Sequence, residues 1–444
     1  MNDEAIDGLY GDHVRALDRA YAEILAEQGW DAVAIHSGAP VRKTHADDQF
    51  WPLRPTPAFQ HWAPLAEGNS VILVRPGFTP KLLRTPSESF WERPPAPETE
   101  AYMALFDVVS LRGAEAARPS FGSGRVAFIG EESSGAAAAS AHVNPPALVT
   151  ALDTLRVKKS PYEAACIAEA NRRARAGHES LRDLFAAGDH SELDLHLAYL
   201  AATAQDDPET PYKNIVALGA NAATLHHVAY GRRPAKREAE SLLVDAGATA
   251  RGYASDITRT WVKGQGSAAD VFGALIAGIE AMQQRLCASI EVGRPYESLH
   301  DESHRLTAAV LLDCGLVRGS VDEIVASGVT RAFYPHGLGH SLGLQTHDVG
   351  CALRKPRDVN PYLRNTSDTA IGQVFTIEPG VYFIDQLLDR VRAGPNRSLV
   401  DWGAVAAVAP LGGVRIEDDV MVEGHRTVRN LTREHIPVGG GALK

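Results

Sequence analysis

The stretch "YPHGLGHSLGLQTHD" carries three histidines, His336, His340 and His347. His336 and His340 stand at i and i+4, the separation at which a helix aims two imidazoles the same way, as in a helical zinc site. Gly337, Gly339 and Gly343 interleave them and Pro335 precedes them. Each glycine inside a helix costs about 1 kcal/mol relative to alanine, so a helical zinc site is disfavoured. Glycines there also let backbone or substrate approach a bound ion closely. A metal held by this segment would need ligands from elsewhere in the chain.

Four carboxylates are the candidates. "LLVDAGATARGYASDITRTW" sets Asp245 and Asp256 in apolar, β-favouring runs, with Gly247 and Gly252 free to turn between them. A hairpin there can place both carboxylates on one side. "VFTIEPG" ends a strand at Glu378, and "GVRIEDDVMV" sets Glu417 beside Ile416 and two aspartates. Each has an ordinary explanation by itself. Asp245 can be a turn residue and Asp256 an N-cap. Arg415 shares a strand face with Glu417 by the period of two and can be its ion-pair partner.

As a set they read differently. Four carboxylates in apolar strands cannot gather in a core without cations. Two divalent ions would bring their formal charge to zero. Oxygen ligands with one imidazole suit Mn²⁺, Co²⁺ or Fe²⁺ as well as Zn²⁺. A two-metal site lowers the pKa of a bridging water and supplies a hydroxide nucleophile near neutral pH, which suits acyl or phosphoryl hydrolysis.

The elements that must position these residues follow from periodicity. At 444 residues the chain is too long for one ordinary core, so two domains are expected. Residues 13–29 carry Val14, Leu17, Tyr21, Ile24 and Leu25 at helical spacing, with Gly29 as a stop. Strands are expected at "AVAIHSG", at 70–76 and at 125–131, with a Pro-rich loop "SFWERPPAPETEAY" before the last. This alternation predicts an α/β domain over 1–158. Ser160, Pro161 and Glu163 then form a capping box with Pro at the first helical position, which opens a second domain over 159–444. Its helices are expected at 161–187, 191–204, 268–290 and 298–314. Strands are expected in "NIVALGANAATLHH", in the Asp245–Asp256 region, in "QVFTIEPGVYFI", and in "GGVRIEDDVMVEG" with "HRTVRNLT" returning. Strands separated by groups of helices indicate an α+β fold.

Composition narrows the partners. The chain is 45% hydrophobic and 22% charged, as expected of a globular protein, and its net charge is −11. No long basic run is present, which argues against nucleic acid. Cys166, Cys287, Cys314 and Cys351 form no C-x-x-C pair, so neither a zinc knuckle nor a disulfide framework is expected. No apolar stretch suggests a signal peptide or membrane span, and a reducing cytoplasm is the expected location.

Taken together, "LLVDAGA…SDITRTW", "PHGLGHSLGLQTHD", "TIEPGVYF" and "VRIEDDVMV" resemble the five-ligand signature of the pita-bread metallopeptidases, which include methionine aminopeptidase, aminopeptidase P and prolidase. The resemblance covers about 160–440, and residues 36–65 are similar to the smaller N-terminal domain of bacterial Xaa-Pro dipeptidases and organophosphorus acid anhydrolases. It implies a pita-bread catalytic domain behind a smaller α/β domain, holding two divalent ions, with Mn²⁺ first among the candidates. Asp245 would chelate one ion, Asp256 and Glu417 would bridge, and His340 and Glu378 would hold the other. Glu378 would also carry the proton of the attacking water. His336 and His347 would contact substrate. Tyr212, Leu225 and His226 would line the pocket, Tyr296 and Leu363 the leaving-group side, and Arg415 would grip a substrate carboxylate. Asp48 would reach the site of a partner subunit, making the active unit a homodimer.

The implied activity is hydrolysis of dipeptides with C-terminal proline, with side activity on phosphotriesters or fluorophosphonates. Aminopeptidase P activity on longer X-Pro peptides is the enzymatic alternative; methionine aminopeptidase would have no use for the N-terminal domain. A non-catalytic binding protein of the same fold is the alternative from another class, and the five intact ligand types argue against it, as they do against creatine amidinohydrolase. The sequence departs from the family pattern in "THADDQF", where a more apolar lead-in to the paired aspartates is expected, and at Thr346, where an aliphatic residue is expected. His227, beside His226, has no role in the resemblance and is expected at the surface or beside a strand.

Overall fold

The computed structural model describes residues 3–85, 91, 100–112, 121–131, 142–234, 239–351 and 353–443. Two compact units divide the chain, Met1–Ala165 and Cys166–Lys444. Most of the Pro-rich loop lies outside the described residues.

The first unit is a five-stranded sheet of β1 (Ala32–His36), β2 (Val71–Val74), β3 (Lys81–Arg84), β4 (Asp107–Ser110) and β5 (Val126–Ile129), in the order β4-β3-β2-β1-β5. β1 runs parallel to β5 and antiparallel to β2. A helix, Asp3–Glu27, buries Ile6, Tyr10, Val14, Leu17, Tyr21 and Leu25. This is one helical stripe, and it begins ten residues before the expected start at residue 13, because Ile6 and Tyr10 extend the same stripe. Between β1 and β2 the chain turns out at Arg42–Phe50, a one-bridge hairpin.

The helix Pro161–Ala187 opens on the expected capping box. The Glu163 amide donates to Ser160 Oγ at 3.3 Å, and the Ser160 amide donates to the Glu163 carboxylate at 2.8 Å. The box itself lies in the first unit and is tied to other residues of that unit. The Ser160 hydroxyl is 2.9 Å from His13 Nδ1, and His13 Nε2 is 2.7 Å from the His61 carbonyl.

The second unit is built on antiparallel pairs. β6 (Ile215–Leu218), β7 (Ala239–Asp245), β10 (Thr258–Gly264) and β16 (Gly440–Ala442) form a sheet in the order β16-β10-β7-β6. β7 and β10 pair with Asp245 opposite Thr258. Between them, the short strands β8 (Thr249–Ala250) and β9 (Tyr253–Ala254) meet at Arg251 and Gly252, both at positive φ. A second sheet joins β11 (Val374–Ile377), β14 (Asp418–Gly424) and β15 (Thr427–Asn430). β12 (Gly380–Tyr382) pairs with β13 (Gly413–Arg415). Single bridges, Thr258 to Glu417 and Ser341 to Phe375, stitch these pieces together. Helices Ser267–Ala288 and Tyr296–Asp313 cover the strands with an apolar core including Phe272, Ile276, Leu299, Phe375 and Val414.

One expectation fails locally. "NIVALGANAATLHH" is strand only to Leu218. Gly219 takes φ +56, and a 3-10 turn over Gly219–Ala223 follows, since a left-handed residue cannot continue the pleat.

Candidate metal centre and active site

Asp256, His340 and Glu417 present ligand atoms that all lie within 4.8 Å of one another, and all three residues are buried. His340 Nε2 is 3.3 Å from Asp256 and 3.6 Å from Glu378. Glu378 is the most open of the four carboxylates, its side chain 16% exposed. Asp245 joins from the end of β7, where Arg415 is its ion-pair partner. The five residues expected as ligands therefore face one region, from four separated stretches of sequence.

Asp256, His340 and Glu417 are each aimed by a second residue. The Thr258 hydroxyl donates to Glu417 at 2.7 Å, and the Tyr212 hydroxyl donates to Asp256 at 2.6 Å. Asp419 accepts the Asp256 amide at 3.1 Å and the Asn171 side chain at 2.8 Å. His340 Nδ1 lies 3.1 Å from the Ser341 carbonyl, so Nδ1 carries the proton and Nε2 is left as the ligand nitrogen. Under the strands, Arg259 is fully buried and donates to the Glu417 carbonyl at 2.8 Å and to Asp418 at 2.8 Å.

The histidine segment forms no helix between Tyr334 and Gly350. Its glycines make room for other backbone. A Cβ on Gly339 would lie 2.1 Å from the Thr376 carbonyl and 2.4 Å from the Tyr296 hydroxyl, and one on Gly337 would lie 3.0 Å from Leu363.

The electrostatics describe a site short of positive charge. Burial pushes Glu378 up to about 7 and Asp245 up to about 6, against the opposing charge of Arg415 on each. Burial, then Asp256 and Glu378, push Glu417 well above the carboxylate range. Burial also works against ionised Asp256, but hydrogen bonding and charge from His340 outweigh it and hold the group below its ordinary value. Burial disfavours protonated His340, and Asp256 with Glu378 overcome this and lift it to about 9. Asp245 Oδ1 is buried and accepts no hydrogen bond among the described residues. A buried carboxylate oxygen left so is costly. An orphaned oxygen, crowded carboxylates and one buried imidazole nitrogen fit a divalent metal centre.

Tyr212 is in contact with the ligand set. His347 is exposed, with its ring edge-on to His340 at 4.5 Å between centroids. His336 is engaged at both nitrogens: Nδ1 lies 2.8 Å from the Gly337 carbonyl and Nε2 lies 2.9 Å from the Tyr382 hydroxyl. Arg415 donates to that same hydroxyl at 2.9 Å and to Thr258 Oγ1 at 3.0 Å. Its approach to Glu417 is a longer 3.9 Å, so the expected Arg415–Glu417 pair is secondary to Asp245. A break between β13 and β14 at Ile416–Glu417 undoes the simple period of two. Tyr296 is fully buried, with its hydroxyl donating to the Thr376 carbonyl at 2.8 Å. Leu363 is buried against Gly337. Leu225 is half-buried, and His226 is exposed in the turn after Ala223. Asp48 is exposed in the hairpin of the first unit.

Tyr382, Thr258 and Asp419 were not among the expected site residues. Each sits within four residues of a ligand, in "EPGVY", "SDIT" and "IEDD". Short spacing to a ligand is a usable signal for such supports, although only the fold gives their direction.

Residues 165–424 match the model for metallopeptidase family M24, and residues 8–154 match that for the N-terminal domain of Xaa-Pro dipeptidase. A Marinobacter nauticus protein named Xaa-Pro dipeptidase is 41% identical, covering 98% of this chain and 100% of its own length. One of the same name from Aeromonas hydrophila is 39% identical over 96% of this chain and 98% of its own. Among solved structures, Pseudomonas aeruginosa aminopeptidase PepP superposes with TM-score 0.72 at 22% identity, covering 96% of this chain and 95% of its own. That likeness carries the pita-bread fold. With both models matched and full-length relatives alongside, the chain belongs to metallopeptidase family M24.

Proposed function

We propose that this protein is a metal-dependent Xaa-Pro dipeptidase. The observation that carries the reading is the full-length similarity to proteins of that name, including the N-terminal domain, joined to a buried carboxylate and histidine cluster. An X-Pro bond has no N–H and a fixed φ, so a dedicated pocket is needed to cleave it.

Asp245, Asp256, His340, Glu378 and Glu417 would hold two divalent ions, Mn²⁺ first among the candidates. Such a pair, when bound, polarises a carbonyl and acidifies a water. Glu378, the most open of the four carboxylates, is suited to take a proton from the attacking water and pass it to the leaving proline nitrogen. His347, exposed and without a hydrogen bond among the described residues, is free to bind the substrate carbonyl or steady its developing charge. His336 is braced by Tyr382 and Arg415 and would act beside it. Arg415 already holds Asp245, so a hold on the substrate carboxylate would use only part of its fork.

The test is turnover of Ala-Pro, Leu-Pro and a longer X-Pro peptide with added Mn²⁺, alongside metal analysis. Dipeptide cleavage with about two metal equivalents is expected; cleavage of the longer peptide alone would point to aminopeptidase P activity. His340→Ala should lose most bound metal and activity, and wild-type turnover in that variant would sink the assignment. Chelation should lower the melting temperature, since a ligand at 100 times its Kd contributes about 2.7 kcal/mol to the folded state.

A further inference from the structure

Glu192 is the first residue of the helix Glu192–Thr203, and it is 2% exposed. It faces a single loop. One carboxylate oxygen accepts the Leu218 amide at 2.9 Å and the Asn221 side chain at 2.8 Å. The other accepts His227 Nε2 at 2.8 Å and the Gly231 amide at 2.7 Å. All four donors lie between residues 218 and 231. A buried carboxylate is tolerated only when its oxygens are satisfied, and here one loop supplies these four donors.

The loop so gathered reaches the active site at two places. Its first turn packs on Gly412 and Gly413, where a Cβ would lie 2.1 Å from the Gly219 carbonyl and 3.0 Å from the Ala222 carbonyl, respectively. Gly413 pairs with Tyr382 and begins the strand that ends at Arg415. The loop's middle carries Leu225 and His226. Its return is fixed by Tyr230, which stacks on His196 at 4.5 Å and donates to the Asn214 carbonyl. Asn214 precedes β6, whose first residue Ile215 pairs with Asp245.

We infer that Glu192 and His227 are a clamp whose task is to present Leu225 and His226 to the substrate, making both clamp members positioning residues for substrate binding. This rests on the dipeptidase reading and adds to it a role for His227, which touches no ligand residue. Loss of the His227 bond frees the segment carrying Leu225 and His226 while leaving the ligand strands in place.

The test compares wild type with His227→Leu, His227→Gln and Glu192→Gln as full-length, Mn²⁺-loaded proteins. Gln keeps a donor near the position of His Nε2, and Leu does not. In H227L, KM for Ala-Pro should rise about tenfold with kcat within about threefold, the pattern of lost ground-state binding. H227Q should restore both. Amide exchange over 224–231 should quicken in H227L and in E192Q and stay slow in H227Q, with bound Mn²⁺ unchanged in all. Faster exchange with an unchanged KM would overturn the positioning role, and so would a fall in kcat with KM constant. Should H227L not fold, E192Q, expected to raise KM about tenfold and quicken exchange, and H227Q, expected to do neither, still give opposite outcomes. A wild type that loads Mn²⁺ but cleaves no X-Pro dipeptide sinks the dipeptidase reading and the substrate role with it; exchange in H227L then decides the clamp separately.

Discussion

At the scale of single residues, the chain Arg415, Tyr382, His336 is the least expected part of the site. Arg415 donates to the Tyr382 hydroxyl, which is left to donate its own proton to His336 Nε2. His336 is pushed down to about 3, by burial first and by Arg415 next, so it is neutral and its Nδ1 proton goes to Gly337. Removing the hydroxyl in Tyr382→Phe leaves His336 without its brace but touches no proposed metal ligand. Activity on Ala-Pro should fall about 10- to 100-fold, within the range of a lost catalytic hydrogen bond, while metal content stays at the wild-type value. Metal loss in Y382F would show that the tyrosine supports Asp245 through Arg415 instead. The ligand types were legible in the sequence because buried-looking carboxylates are rare and costly. The direction of Arg415 was not, since a two-residue period says nothing about a strand that breaks at Ile416. Nor was the depth of Tyr296, an aromatic whose hydroxyl is spent on a backbone carbonyl.

At the scale of elements, the capping box of the helix Pro161–Ala187 was readable from Ser160, Pro161 and Glu163, because capping is local chemistry. Its attachment to His13 and His61 is not local and was invisible. His13 is pushed down to about 4 by burial and by His61. Burial would raise Glu163, but His61, Lys159 and His13 outweigh it and hold the carboxyl near 2. Both depressed values act in one direction. The unfolded chain binds a proton at His13 below about 6.5 that the folded chain refuses until about 4, so stability falls across that window as pH drops. From its ordinary 6.5 to about 4, this one group accounts for roughly 3 kcal/mol. Glu163 adds a further loss from about 4.5 down to 2. Urea unfolding of wild type and His13→Gln at pH 7, 6 and 5 should give curves that converge as pH falls. Curves that stay parallel would mean that His13 is not the group responsible.

At the scale of the whole molecule, the two-unit plan and the α+β character of the second unit followed from periodicity and length, while β3, β4 and β16 are too short to read that way. Among the described residues no helix is long and apolar enough to cross a membrane. The hairpin carrying Asp48 is unusual in its surroundings: Trp51 is 58% exposed and Phe50 43%, with Val41 also open. We propose that these apolar side chains form the contact of a homodimer in which Asp48 would serve a partner's site. Trp51→Glu should shift light scattering from dimer toward monomer and lower dipeptide turnover with it. A wild type that is monomeric and fully active would end that proposal.

The bridge between Thr258 and Glu417 has a further consequence, for biosynthesis. The two residues are 159 positions apart, and the cluster holds residues from both sides of that gap. During translation, at about 5–20 residues per second, Asp245 and Asp256 emerge many seconds before Glu417 exists. No nascent chain short of that point can close the centre. Ion choice therefore belongs to the finished protein and to the compartment in which it is released, and a truncation just before Glu417 would leave a chain with Asp245, Asp256, His340 and Glu378 but without the fifth candidate ligand.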